Sequence, residues 1–67
     1  MRFCERLRAC RSEAGVTLST VSKAIGIPIS TYSNYEQGTR EPSLKTLALI
    51  CDYFDVSADY LIGRLDY

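Results

Sequence analysis

Apolar residues near the start of the chain recur at Phe3, Leu7, Cys10 and Ala14, in steps of four, three and four, with Arg6, Arg8, Arg11 and Glu13 between them. That spacing is the stripe of an amphipathic helix, and Gly15 is suited to cap its C-terminal end. Thr17 offers an N-cap hydroxyl for a short second helix through Val21, Ser22 and Ile25, stopped at Gly26. Pro28 suits the first turn of a third helix, where a missing N–H is no loss, and ISTYSNYEQ continues it to Gly38. A helix of about ten residues does not hold alone in water, so it must pack on its neighbours, with Tyr32 turned inward. After a loop of Thr39, Arg40, Glu41 and Pro42, Ser43 caps a fourth helix that carries Leu44, Leu47, Ile50, Cys51 and Phe54 on one face. Ser57 opens a short fifth helix, ADYLI, ending at Gly63. No run has the period of a strand, and there is no internal repeat or low-complexity tract.

Five short helices with tight connections predict an all-α bundle, a single domain over residues 1–67 with a short tail at 64–67. The second and third helices, about residues 17–37, meet at GIP in a helix-turn-helix layout, where a small residue permits the sharp turn. A glycine between helices is common whatever the function, so the layout alone does not assign one.

Composition narrows the picture. At 67 residues the core buries only about 60% of the surface that the unfolded chain exposes, and a partner copy is one source of added stability. Hydrophobic residues make up 46% and charged residues 24%, as in a folded globular domain. There is no run of eighteen apolar residues, and MRFCERLRAC has charges where a signal peptide needs apolar residues; the expectation is a cytoplasmic protein. Cys4, Cys10 and Cys51 lack CxxC spacing, and there is no His, so no metal site is expected. Reduced thiols are expected, with Cys10 and Cys51 as small core residues. Without His, a Gly-rich phosphate loop or a paired-carboxylate cleft, the chain does not read as an enzyme, and nothing near Cys4 in sequence activates it as a nucleophile.

The formal net charge of zero counts against a nucleic-acid partner, yet it hides an asymmetry. Residues 1–45 hold seven cations and four anions, a net +3, whereas residues 46–67 hold Arg64 against Asp52, Asp55, Asp59 and Asp66, a net −3. A basic face can meet a polyanion while the acidic end points away.

RLRACRSEAGVT, followed by VSKAIGIPISTYSNYEQGTREPSLKTLALICDYFDVSADYLIG, resembles the phage-repressor and Cro-like (XRE-type) helix-turn-helix family over residues 3–63. The resemblance implies a five-helix lambda-repressor-like fold, operator DNA as partner, a homodimer, and regulation of transcription, usually repression. It implies that Arg11 and Glu36 form an internal ion pair between the first helix and the reading helix, a scaffold rather than a DNA contact. It also implies that Ile29, Ser30, Thr31, Ser33 and Asn34 are the outward, base-reading positions. None is an arginine, but Asn can pair bidentately with adenine and an apolar group can pack on a thymine methyl, which suggests an A·T-leaning site. Leu18 stands where the family usually has a phosphate-binding glutamine, and Ser19 and Thr20 where acidic residues follow.

Affinity then falls to the flanks. Free N–H groups at the starts of helices two, three and four suit phosphate oxygens, with Thr17, Ser30 and Ser43 near those ends. Arg40 and Lys45 match positions where relatives touch the backbone, and Lys23 is a further candidate. Tyr53, Tyr60, Leu61, Leu65 and Tyr67 put more large groups around the last helix and tail than one short helix buries, a candidate dimer interface. Alternatively, Leu61 and Ile62 close the core and the tail frays. No cofactor or small-molecule effector is expected. A second class of function is a protein-interaction module, such as an antitoxin-like partner with weak or no DNA binding; zero net charge, Leu18 and the Arg-free third helix favour it.

Overall fold

The Glu5 carboxylate accepts the backbone N–H of Arg2 at 2.9 Å, and Gly15, at φ 68°, turns the chain away at the other end of α1, Phe3–Ala14. The structure, a computed structural model, describes residues 2–65. Four more helices follow: α2 (Leu18–Ile25), α3 (Ile29–Gln37), α4 (Leu44–Phe54) and α5 (Ala58–Leu61), and the described residues contain no strand. The hydroxyls of Thr17, Ser43 and Ser57 accept the backbone N–H of Thr20, Thr46 and Tyr60 at 3.1, 3.2 and 3.0 Å, starting α2, α4 and α5 where the sequence predicts.

Leu7, Cys10, Val21, Ile25, Tyr32, Tyr35, Ile50 and Leu61 form the core. α1 packs against α3, α4 and α5, and α2 against α3 and α4. The short α3 is therefore held from two sides, which meets the requirement set by its length.

Four expectations are corrected. Ala14 is exposed: it ends α1 one residue before the cap, beyond the reach of the core. Leu44 is 86% exposed, because Leu47, Ile50, Cys51 and Phe54 take the inner face of α4 and the first residue of the helix lies off it. Pro28 is the N-cap rather than a first-turn residue; its ψ of 145° is extended, and its carbonyl accepts the Tyr32 N–H at 3.1 Å. The fifth helix stops at Leu61, leaving Ile62 as its C-cap.

Arg6 is the residue that the amphipathic reading of α1 misplaces. Counted among the polar positions, it is buried: its Nη1 donates to the carbonyls of Tyr60, at 3.1 Å, and Leu65, and its guanidinium lies 4.5 Å over the Tyr60 ring. Cation–π contact and carbonyl bonds together tie α1 to α5 and the segment after it.

Gly26 and Gly38 are both left-handed, at φ 76° and 80°, but for different demands. Around Gly26 a Cβ would meet nothing within 4 Å, so only the backbone turn between α2 and α3 calls for glycine. At Gly38 a Cβ would come 3.2 Å from the Cys4 sulfur, so the end of α3 lies directly on α1.

Candidate nucleic-acid interface

α3 has a buried side of Tyr32, Tyr35 and Glu36 and an outward side. Of the base-reading candidates, Ile29 and Ser30 are exposed, and Thr31, Ser33 and Asn34 are half-buried. The Ser33 hydroxyl accepts the Gln37 Nε2 at 3.1 Å, so it is partly committed within the helix. Asn34 spends its carbonyl on the Thr39 N–H, at 3.1 Å, and the Thr39 hydroxyl, at 3.3 Å, which leaves the side-chain amide available. Gln37 is exposed one turn beyond Ser33 and was not among the candidates; as an amide it has the same capacity as Asn34 for two bonds to adenine. Its spacing, three and four residues from Asn34 and Ser33, was the available signal.

The orientation of this face is set by α1. Arg11 Nε donates to Glu36 Oε2 at 2.8 Å, and Arg11 Nη1 to the Val16 carbonyl at 3.1 Å. The bond to Glu36 raises the Arg11 pKa further above its ordinary value. Arg8 adds a second grip that the sequence reading did not assign, its Nη1 donating to the Glu36 backbone carbonyl at 2.8 Å. α3 has no acidic residue in its first turn and no basic residue in its last. Its macrodipole is therefore uncompensated from within, and two cations one turn apart on α1 supply charge at its negative end.

Replacing Arg8 by alanine is expected to cost about 1 kcal/mol, the low end for a charge-assisted bond because Arg8 is exposed. In a domain of this size that lowers Tm by roughly 4–8 °C, and amide exchange should quicken at Gly38 and Thr39. An unchanged melting curve would remove Arg8 from that role.

The starts of α2, α3 and α4 carry the candidate phosphate donors. Thr17 and Ser43 are exposed with their oxygens engaged as caps, while α3 begins without a side-chain cap. The first N–H groups of each helix have no intrahelical partner. Lys23, Arg40 and Lys45 are all exposed. Leu18, at the position where a donor would stand, is half-buried against the core.

The dimer candidates fare differently. Leu61 has no exposed surface and closes the chain's own core, so it is unavailable to a partner. Tyr60 is under the Arg6 guanidinium, and the Leu65 carbonyl accepts from Arg6. Tyr53 is half-buried with its ring edge-on to Phe54, centroids 4.9 Å apart. Tyr67 lies outside the described residues. Cys4 and Cys10 are buried and Cys51 is half-buried. Burial first, then nearby carboxylates, pushes the thiols of Cys10 and Cys51 above their ordinary pKa, so both stay protonated and unreactive at neutral pH. Among the described residues no cluster of His, Cys, Asp or Glu could hold a metal, and no helix is long and apolar enough to cross a membrane.

A five-helix bundle whose second and third helices meet at a left-handed glycine, with the third clamped by the first, is a lambda-repressor-like helix-turn-helix domain. A helix-turn-helix family model matches residues 7–61, and the chain belongs to that family. Among its relatives are the transcriptional regulator AnsR of Bacillus subtilis, 42% identical over 90% of this chain and 52% of that protein, and the cryptic phage CTXphi transcriptional repressor RstR of Vibrio cholerae, 34% identical over 96% of this chain and 57% of that protein. The fold matches the P22 c2 repressor in complex with a synthetic operator, with a TM-score of 0.91 and 25% identity over 97% of this chain and 98% of that one. The chain spans about half the length of the curated relatives it matches. These relatives are named as transcriptional regulators, not enzymes.

Proposed function

We propose that this chain is a sequence-specific DNA-binding repressor of transcription, acting in the cytoplasm on a palindromic operator as a homodimer. The observation that carries this reading is an outward α3 face of small polar and apolar groups, held in fixed orientation by Arg11 and Arg8 through Glu36. Ile29, Ser30, Thr31, Ser33 and Asn34 discriminate bases, and the N-termini of α2, α3 and α4, with Thr17, Ser43, Lys23, Arg40 and Lys45, bind phosphates. The synthetic operator in complex with the P22 c2 repressor supports operator DNA as the partner class. Two reading helices set one DNA turn apart, roughly 34 Å, double the contacts on a palindrome and offset the lack of cations on α3.

Selection from random duplexes followed by titration at two salt concentrations tests this. Affinity should fall steeply with salt; no binding even at low salt would sink the reading and point to a protein partner. Asn34→Ala should relax preference at one base position, by about 1–3 kcal/mol, whereas Arg40→Ala should weaken all sequences alike. An unchanged selected site in Asn34→Ala would remove Asn34 from base reading.

A further inference from the structure

The C-terminal ends of α1 and α4 meet around a hollow of about 530 Å3, with Cys10, Glu13 and Ala14 on one side and Tyr53, Phe54 and Val56 on the other. The two rings, edge-on to each other, and Val56 are half-buried, so an aromatic and aliphatic floor is open to solvent. None of these residues is among the proposed DNA contacts. The charge around the floor is negative. Glu13 is exposed on the rim, and its carboxylate is near enough to add to burial in raising the pKa of the Cys10 thiol. Asp55, also exposed, stands between Phe54 and Val56. Among the described residues no cation pairs with either carboxylate, whereas Glu5, Glu36 and Asp59 each have an arginine. α4 has no basic residue in its last turn, so the partial negative charge of its end is uncompensated.

Asp55 is an unfavourable residue for the fold alone. At φ 55° it is, among the described residues, the only left-handed position that is not glycine, while Gly15, Gly26 and Gly38 serve at the ends of α1, α2 and α3. A side chain is strained in that conformation, and a carboxylate is repelled by the negative end of the helix it caps. Local strain of this kind gathers at binding sites. We propose that the hollow docks a basic segment of a partner protein, with an apolar side chain resting on Tyr53, Phe54 and Val56 and a flanking lysine or arginine set between Glu13 and Asp55 at the end of α4. Charge complementarity selects this occupant. A nucleic acid is repelled, and an uncharged segment leaves both carboxylates and the helix end as they are. The open floor suits a side chain projecting from a larger body, since a small ligand needs a site that encloses most of its surface. The proposal does not depend on the DNA reading.

The test is a titration of the isotopically labelled chain with the peptide acetyl-Lys-Leu-Arg-Leu-Lys-amide, followed by amide NMR shifts at about 0.1 M salt, where charges beyond roughly 10 Å are screened. Shifts should saturate at Cys10, Glu13, Ala14 and Tyr53 through Val56. The same peptide with glutamate in place of its three cations should not bind, and serine in place of its two leucines should weaken binding at least about fivefold. Glu13→Gln and Asp55→Asn should each weaken it about threefold. Asp59→Asn should not, since Asp59 is already held by Arg64 at 3.8 Å. The melting temperature of Asp55→Asn should stay or rise, because asparagine accepts the left-handed backbone and is not repelled by the helix end. Weaker docking in a chain that is no less stable separates a binding role from a structural one. A basic peptide that leaves the spectrum unmoved, shifts spread evenly over the acidic surface, a serine peptide that binds as well as the leucine one, or an Asp55→Asn variant that docks normally or melts earlier would each overturn the proposal.

Discussion

A chain with alanine at position 32 is expected to lose a large share of its folding stability, whereas one with phenylalanine there should be as stable as the original to within about 1 kcal/mol. Tyr32 has no exposed surface and is the largest side chain so enclosed. Its ring meets Tyr35 edge-on, centroids 6.4 Å apart, where α3 packs on its neighbours. Truncating a buried aromatic costs about 3–5 kcal/mol, and a domain of this length has roughly 3–10 kcal/mol in total. The hydroxyl is a different matter. It is buried without a partner of ordinary hydrogen-bond geometry, although the Glu36 carboxylate is close enough to act on it. Burial first, and that carboxylate second, hold its pKa far above the usual tyrosine value. Phenylalanine removes an unsatisfied polar group and keeps the packing. The pH dependence follows with a definite sign. Above about pH 10, the unperturbed value, the unfolded chain loses the Tyr32 proton while the folded chain keeps it, so stability falls as pH rises. Tyr32→Phe should flatten that part of the alkaline slope. Denaturant melts followed by circular dichroism at pH 7 and near pH 10.5 read both effects. A phenylalanine variant weakened by well over 1 kcal/mol at pH 7 would mean that the hydroxyl bonds to Glu36 after all.

The helices were legible in the sequence because their ends are written in side chains that act locally: Thr17, Ser43 and Ser57 cap whatever packs around them, and Gly15, Gly26 and Gly38 turn the chain left-handed. Burial was less legible, because it depends on what lies opposite. Leu44 has the spacing of a core residue and is exposed, since no element crosses the first turn of α4. Arg6 has the spacing of a polar-face residue and is buried, since the Tyr60 ring and the carbonyls beyond it come back from the far end of the chain. Arg8 escaped for a similar reason. Its partner is a backbone carbonyl twenty-eight residues away, and carbonyls leave no mark in a residue pattern. The Arg11–Glu36 pair came from family resemblance, and the outward set of α3 came with it; hydrophobic spacing alone would have returned Tyr32 and left the rest of that helix unassigned.

Breaking the Arg11–Glu36 pair should have an effect that depends on which partner is removed. The Glu36 side chain is 6% exposed and the Arg11 side chain 27%. After Glu36→Ala the guanidinium can turn toward water and keep its bond to the Val16 carbonyl, so the loss is expected at about 2–3 kcal/mol, below the usual range for a broken buried pair. After Arg11→Ala the Glu36 carboxylate is left buried beside the Tyr32 ring without its cation, and the loss is expected at about 3–4 kcal/mol. The two residues act as one unit, so removing both should cost close to the larger single loss and well below the sum. Because losses of this size approach the whole stability of the domain, the melts are best run in an osmolyte that strengthens burial. Equal single costs, or a double variant at the sum, would show that the pair is two independent surface contacts. The consequence for recognition follows from Arg8. In Glu36→Ala the grip of Arg8 on the backbone carbonyl of residue 36 survives, so the end of α3 keeps one of its two anchors. Combining Arg8→Ala with Glu36→Ala releases both, and discrimination between DNA sites should then fall further than either change alone produces, at a temperature where the doubly altered chain is still folded.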